Sequence, residues 1–222
     1  MLLNSNRSGI LDLTPSVTQT GYDNYSDVQQ KGERITITVN ETAATETSVV
    51  TQESGTEDST VDVTQSNSGN TSDVTQTTAT AGTSAIVDQS GIGDTSTIMQ
   101  TGTTQSATVL QSGMGGTSTI DRSGSTQTAM LTQSGMGNSN LMTQTGTGHS
   151  ATAVQSGDNG MSSILQSGDS NVATLDQGQA DNKSWITQSG TANTANVSQM
   201  VTGNNTSNVT QSGSGNLSTV TQ

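Results

Sequence analysis

The sequence predicts an all-β fold, a β-solenoid of about nine two-strand rungs in which two parallel, in-register sheets face each other. Three observations predict it. Glutamine recurs almost every 11 residues, apolar residues occupy alternate positions before each Gln, and glycine-containing segments follow it. A short repeat sustained along a chain is typical of solenoids, in which each unit contacts only its neighbours. Two units of 11 residues make one rung of about 22 residues.

The recurring Gln, called the anchor of each unit, closes every repeat from Gln19 to Gln222 except at Glu41 and Arg122. We expect the anchors to point inward and to form an amide ladder that guides assembly, because stacked identical amides satisfy one another. The ladder residues are Gln30, Gln52, Gln65, Gln76, Gln89, Gln100, Gln111, Gln133, Gln144, Gln155, Gln166, Gln177, Gln188, Gln199, Gln211 and Gln222.

Each anchor follows a strand whose inward face has a fixed chemistry. An aliphatic residue lies two positions before the anchor, a small residue four before it and most often Asn six before it. This period of two places all four side chains on one face of a strand. We expect the Asn amides to form a second ladder of like upon like. Its members are Asn24, Asn70, Asn138, Asn171, Asn182, Asn193, Asn205 and Asn216.

The segments between the strands are predicted to be turns of about four residues, and the strands to be about seven residues long. Most of the glycines lie in these segments, where the backbone must reverse at positive φ. The small position alternates between Ser in one unit and Ala in the next, as in Ser96 and Ala107. Alternate strands are therefore assigned to separate sheets.

Composition and charge exclude several classes of function. The formal net charge is −13 and the chain has no Cys, so we expect no nucleic-acid partner, because binding phosphates requires a basic surface. No apolar run is long enough for membrane insertion. We expect no enzymatic activity, cofactor or metal, because acids and bases do not cluster. The only histidine, His149, lies at an Asn position and is expected to interrupt the Asn ladder.

The repeat resembles the curlin repeat of curli subunits, the secreted bacterial functional amyloids. Asn-x-Ala/Ser-x-x-x-Gln followed by a Gly-containing turn occurs at 171–177, 193–199 and 216–222, and the resemblance covers 19–222. It implies a solenoid subunit of an extracellular fibre at the cell surface, with roles in adhesion and biofilm matrix. It also implies a homopolymer, with a nucleator or major subunit of the same family and a secretion machinery as further partners. No signal peptide is visible in the chain.

The ends of the repeat array and its two irregular anchors are the predicted control points. The last unit, with Asn216, Ser218, Val220 and Gln222 inward, is expected to offer a docking edge, because unpaired strand edges template further strands. Residues 1–18 are interpreted as a leader or a degenerate capping unit, with Pro15 as a possible cap; a docking role stays open. Glu41 and Arg122 are interpreted as gatekeepers that slow assembly, or as drift.

The alternative from another class is a monomeric solenoid that acts as an adhesin or an ice-binding protein. Outward threonine pairs such as Thr36/Thr38 and Thr219/Thr221 favour it. The same rows also contain Asp62, Met130 and Trp185, which makes them too mixed for a regular ice-binding plane.

Overall fold

The computed structural model describes residues 6–7, 14–53, 57–77 and 82–222, and these form a β-solenoid of about nine turns. The 20 strands in these described ranges belong to two parallel ten-stranded sheets. The odd sheet contains β1, β3 and so on to β19, and the even sheet contains β2, β4 and so on to β20. None of the described residues forms a helix that is long and apolar enough to cross a membrane.

The odd strands are β1 (Asn6–Arg7), β3 (Tyr25–Gln30), β5 (Thr47–Gln52), β7 (Thr71–Thr77), β9 (Thr95–Thr103), β11 (Thr117–Ser125), β13 (Ser139–Thr147), β15 (Met161–Asp169), β17 (Lys183–Thr191) and β19 (Thr206–Ser214). The even strands are β2 (Thr14–Gln19), β4 (Thr36–Glu41), β6 (Thr60–Gln65), β8 (Ser84–Gln89), β10 (Ser106–Gln111), β12 (Thr128–Gln133), β14 (Ser150–Gln155), β16 (Val172–Gln177), β18 (Thr194–Gln199) and β20 (Leu217–Thr221).

The 18 predicted half-rungs are strands β3 to β20, and the predicted assignment of alternate units to two sheets is confirmed. Strand β2 lies mostly within residues 1–18 and extends the even sheet in register, with Pro15 paired to Ile37 and Val17 to Val39. Whether this segment acts as a leader or a cap stays a prediction. The part of this interpretation that concerns residues 1–5 and 8–13 lies outside the described residues.

The interior is a thin layer of aliphatic side chains between the two sheets. The residue two positions before the anchor is buried in nearly every rung, from Val28 to Val209. The small position adds Ala on the even sheet and Ser on the odd sheet, as in Ala107 and Ser96. Burial of each large aliphatic side chain stabilises the fold by about 1.5–3 kcal/mol. Because the layer is thin, the polar positions beside it must also be buried.

The turns that follow the odd strands differ from the turns that follow the even strands. The expectation of uniform strands of about seven residues and uniform turns of about four is therefore wrong. From β9 onward the odd strands are nine residues long and the even strands of full length are six. The extra residues include a glycine, such as Gly124 with φ 121°, which pairs with Gly102 and Gly146 in adjacent rungs. A Cβ on Gly124 would lie 2.0 Å from the carbonyl oxygen of Gly146. Only glycine lets these turns stack closely enough to continue the ladder.

Candidate assembly site: the amide ladders and the strand edges

The anchor glutamines form two hydrogen-bonded ladders, one in each sheet. In each bond the Nε2 group donates to the Oε1 atom of the anchor in the next rung, at 2.6 to 2.9 Å. The odd-sheet bonds join Gln52 to Gln76, Gln76 to Gln100, Gln144 to Gln166, Gln166 to Gln188 and Gln188 to Gln211. The even-sheet bonds join Gln65 to Gln89, Gln89 to Gln111, Gln111 to Gln133, Gln133 to Gln155, Gln155 to Gln177, Gln177 to Gln199 and Gln199 to Gln222.

The second N–H of most anchors ties one sheet to the other. Gln111 Nε2, for example, also donates to the backbone oxygen of Thr95, at 3.2 Å, and Gln144 Nε2 donates to that of Thr128, at 3.0 Å. Both donors of the amide are therefore used, one along the stack and one across it. A buried amide with all its donors satisfied fixes register, because a slipped strand would leave it unpaired. Gln30 is buried in line with Gln52, but its Nε2 has no hydrogen-bond partner in the described structure.

The predicted Asn ladder of like upon like is wrong in its bonding pattern. Asn70 Oδ1 accepts from the backbone N–H of Asp94 in the next rung, at 2.9 Å, and its Nδ2 donates to the backbone oxygens of Ser66 and Gly91. Among the described Asn residues that lie six positions before an anchor, an amide-to-amide bond occurs only from Asn216 to Asn193. The Asn side chain is shorter than that of Gln and begins the strand directly after a turn, so it reaches turn backbone.

The Asn side chains thus hydrogen-bond to the backbone of the turns, and the extent of their burial differs from rung to rung. Asn70, Asn138, Asn171, Asn182 and Asn193 are buried. Asn24 and Asn205 are half-buried, and Asn216 is exposed. All five buried residues have an Oδ1 atom that accepts a backbone N–H of the next rung, at 2.7 to 3.0 Å.

Two other residues at the Asn position perform the same task, which the sequence analysis missed. Asp94 Oδ1 accepts from the N–H of Gly116, at 2.8 Å. His149 Nδ1 accepts from the N–H of Asn171, at 3.2 Å, while its Nε2 donates to the backbone oxygen of Thr145. His149 therefore continues the series of side-chain to backbone hydrogen bonds between rungs rather than interrupting it. The signal was available in its spacing, because His149 lies six positions before the anchor Gln155, as the Asn residues do before theirs.

Arg122 occupies an anchor position in the odd sheet and interrupts the ladder there. Its side chain is fully buried, and its Nη1 donates to the backbone oxygens of Ser106 and Gln127, at 2.6 and 3.0 Å. The bond to Ser106 reproduces the cross-sheet bond of a Gln anchor. Its Nε and Nη2 atoms and the Oε1 of Gln144 in the next rung have no partners in the described structure. Burial lowers the pKa of Arg122 to about 9, so the group stays cationic at neutral pH.

Glu41 interrupts the even-sheet ladder and lies beside a second buried carboxyl group. Its two oxygens accept from Gln19 Nε2, at 2.6 Å, and from Ser26 Oγ, at 2.7 Å. Burial raises the pKa of Glu41, and the bonds from Ser26 and Gln19 oppose this rise. Burial also raises the pKa of Glu46 to about 7, with a further contribution from the charge of Glu41. Both carboxyl groups are 0% exposed.

The backbone at the two ends of the stack has a defined polarity. Outward residues donate toward the next rung, as Thr36 N does to Ser59 O and Thr20 N does to Glu41 O. Successive residues of a parallel strand bond to opposite sides, so inward residues face the preceding rung. On β20 the backbone N–H and C=O groups that face away from β18 therefore belong to the outward residues Leu217, Thr219 and Thr221. On β2 the groups that face away from β4 belong to inward residues that include Pro15, which has no N–H.

The predicted docking edge is less covered than the rungs behind it. Ser218, Val220 and Gln222 are half-buried and Asn216 is exposed, whereas Ala195, Val197 and Gln199 of β18 are at most 2% exposed. The difference arises because β19 and β20 end the order of strands in their sheets. The apolar row and the amide ladders thus reach an uncovered surface.

Among the described residues, no group of three or more His, Asp or Glu side chains is placed to hold a metal ion. No protein-family model matches this sequence, and no curated protein is similar to it.

Proposed function

We propose that this protein is the structural subunit of a curli-like extracellular amyloid fibre, built by end-to-end stacking of solenoids and serving adhesion and biofilm matrix. Its partners would be further copies of itself, together with a nucleator or major subunit of the same family and a secretion machinery. The observation that carries the proposal is the continuation of ladder and core to the uncovered edge of β20. Gln222 accepts from Gln199, at 2.9 Å, and would be positioned to bond to a further rung.

The backbone polarity defines how a second copy would dock. The free N–H groups of Leu217, Thr219 and Thr221 would donate to a strand of the incoming copy, as in β-strand addition. If that strand is β2, its inward residues Pro15, Val17 and Gln19 would face the junction. Pro15 would accept through its carbonyl oxygen but supply no donor. The junction would thus form with one hydrogen bond fewer than an internal pair of rungs, which is consistent with a capping or rate-limiting role for Pro15.

Substitution of Thr219 tests the docking edge without disturbing the fold behind it. Thr219→Pro removes an N–H that faces away from β18, whereas Thr219→Ala keeps it. We expect Thr219→Pro to slow fibre elongation by about tenfold or more, because a proline at a strand edge blocks further pairing, and Thr219→Ala to elongate like the unmodified protein. Thioflavin fluorescence and electron microscopy of seeded reactions measure the rates.

Circular dichroism of the soluble variants controls for folding. Equal elongation of the Pro and Ala variants would contradict docking at β20. If the unmodified protein stays monomeric at high concentration for days, the fibre proposal fails and a monomeric binder becomes the better explanation. In-register threonine pairs on β9 and β11, Thr95/Thr97 above Thr117/Thr119, would then be the surface to test for binding.

A further inference from the structure

The even-sheet ladder has one gap in the described structure that a single proton could close. Glu41 is paired in register with Gln65, one rung further along. At the other described rungs from Gln65 onward, the anchor amide donates to the Oε1 atom of the next anchor. An ionised carboxylate has no hydrogen to donate. Accordingly, Gln65 Oε1 is buried and has no hydrogen-bond partner in the described structure.

We propose that Glu41 is a proton-operated rung, which joins the amino-terminal rungs to the ladder when it is protonated and disconnects them when it is ionised. In the protonated state its carboxyl O–H would donate to Gln65 Oε1 and so replace the missing amide. In the ionised state the ladder ends at Gln65, and the rungs formed by β2 to β5 lose that connection. The proposal concerns one chain and does not depend on fibre formation.

The surroundings of Glu41 favour the protonated state. Glu46, directly before β5, is a second fully buried carboxyl group in the turn that follows Glu41. Two buried carboxylates without a cation oppose each other's ionisation. Uncharged groups on Gln19 of β2 and Ser26 of β3 supply the described hydrogen bonds to Glu41. Neither carboxyl oxygen of Glu46 has a hydrogen-bond partner in the described structure.

The remaining titratable groups on the packed strands do not reach this site. Tyr25 and Asp27 on β3, Asp62 on β6 and Asp73 on β7 occupy outward positions of their strands, and strands β2, β4 and β5 have no other titratable side chains. Tyr22 and Asp23 are exposed in the preceding turn. The ion pairs of Arg34 with Glu57 and Asp58 lie in turns that follow odd strands, at the opposite edge from the turn between Glu41 and Glu46.

The direction of the pH effect follows from the burial of the two groups. Because burial raises both pKa values above the ordinary 4.5, that of Glu46 to about 7, the folded chain binds more protons than the unfolded chain between these values. Stability therefore falls as pH rises through this window and is lowest above it. The predicted effect is local to the amino-terminal rungs.

Hydrogen exchange of the full chain, corrected for intrinsic rates, tests this inference. We expect protection of residues 36–52 to fall about tenfold between about pH 5 and about pH 8, relative to residues 172–188. Glu41→Gln mimics the protonated group and should make this fall smaller, leaving only the part that comes from Glu46. Glu46→Gln removes the neighbouring charge and should move the transition to lower pH. Asp94→Asn, the same acid-to-amide change two rungs further along, should leave the transition in residues 36–52 unchanged.

Protection of residues 36–52 that is independent of pH, or an equal pH effect in Glu41→Gln, would overturn the inference. Infrared difference spectra of the unmodified protein provide a measurement that needs no variant. A protonated carboxyl band that persists at about pH 6, above the titration range of ordinary Glu, is expected, and its absence would also overturn the inference.

Discussion

At the scale of the residue, the interior uses amides as structural elements because each can be satisfied by its own kind in the next rung. Arg122 shows what happens when one rung departs from this rule. It keeps the cross-sheet bond to Ser106 but leaves Gln144 Oε1 and two of its own nitrogens without partners. A buried, incompletely bonded charge destabilises a fold, whereas a well-packed uncharged replacement is often neutral or stabilising.

Arg122→Gln is therefore expected to increase the free energy of unfolding by about 2 kcal/mol. The variant removes the buried charge and joins Gln100 to Gln144 through a continuous ladder. Arg122→Leu removes the charge but leaves the ladder interrupted, so it should recover only part of the gain. Urea unfolding of the soluble protein at neutral pH measures all three. A lower stability of Arg122→Gln than of the unmodified protein would show that the guanidinium makes a net favourable contribution.

At the scale of the element, the sequence predicted the strands well and the turns incompletely. The period of two identified the inward face, since it depends only on strand geometry. The spacing could not show that Asn bonds to turn backbone or that the two edges differ, because these depend on the distance between stacked turns. Gly124 and Gly115 illustrate this. Both have positive φ, but only Gly124 lies against the backbone of the next rung, while nothing lies within 4 Å of a Cβ at Gly115.

Substitutions by Asn distinguish the requirement for positive φ from the requirement for close stacking of the turns. Gly115→Asn should change stability by less than about 1 kcal/mol, because Asn tolerates left-handed backbone and the equivalent Asn159 already has φ 54°. Gly124→Asn should destabilise by about 3 kcal/mol or more, because φ 121° is unfavourable for any side chain and the Cβ would overlap the carbonyl of Gly146. Thermal unfolding followed by circular dichroism compares them, and equal midpoints would contradict the stacking constraint.

At the scale of the whole molecule, the repeating unit is the 22-residue rung rather than the 11-residue half-rung. Each sheet has its own small residue and each edge its own turn, so a strand of one sheet does not substitute for a strand of the other. The alternation of Ser and Ala carried this information in the sequence. The sequence left open whether the segment before Gln19 joins the stack as a degenerate unit or stays a leader, because it keeps only the apolar alternation of the repeat; the structure places β2 in the even sheet.

Deletions of the two lengths should have different consequences. Removal of residues 134–155 eliminates β13 and β14, joins Gln133 to Ser156 and leaves every remaining strand in its own sheet. Removal of residues 134–144 eliminates β13 up to Gln144 and leaves Thr145–Thr147 in the turn after Gln133. Strand β14 then moves to the odd sheet and stacks on β11, with Ala151 on Ser118, and turns of the two types meet on the same side of the solenoid. In a solenoid, stability is approximately a sum over rungs and their interfaces. The longer deletion should therefore unfold in one transition with a modestly lower midpoint, whereas the shorter deletion should uncouple the two halves and unfold in two transitions. Calorimetry distinguishes these outcomes, and a single transition of unchanged midpoint for the shorter deletion would show that the sheets are interchangeable.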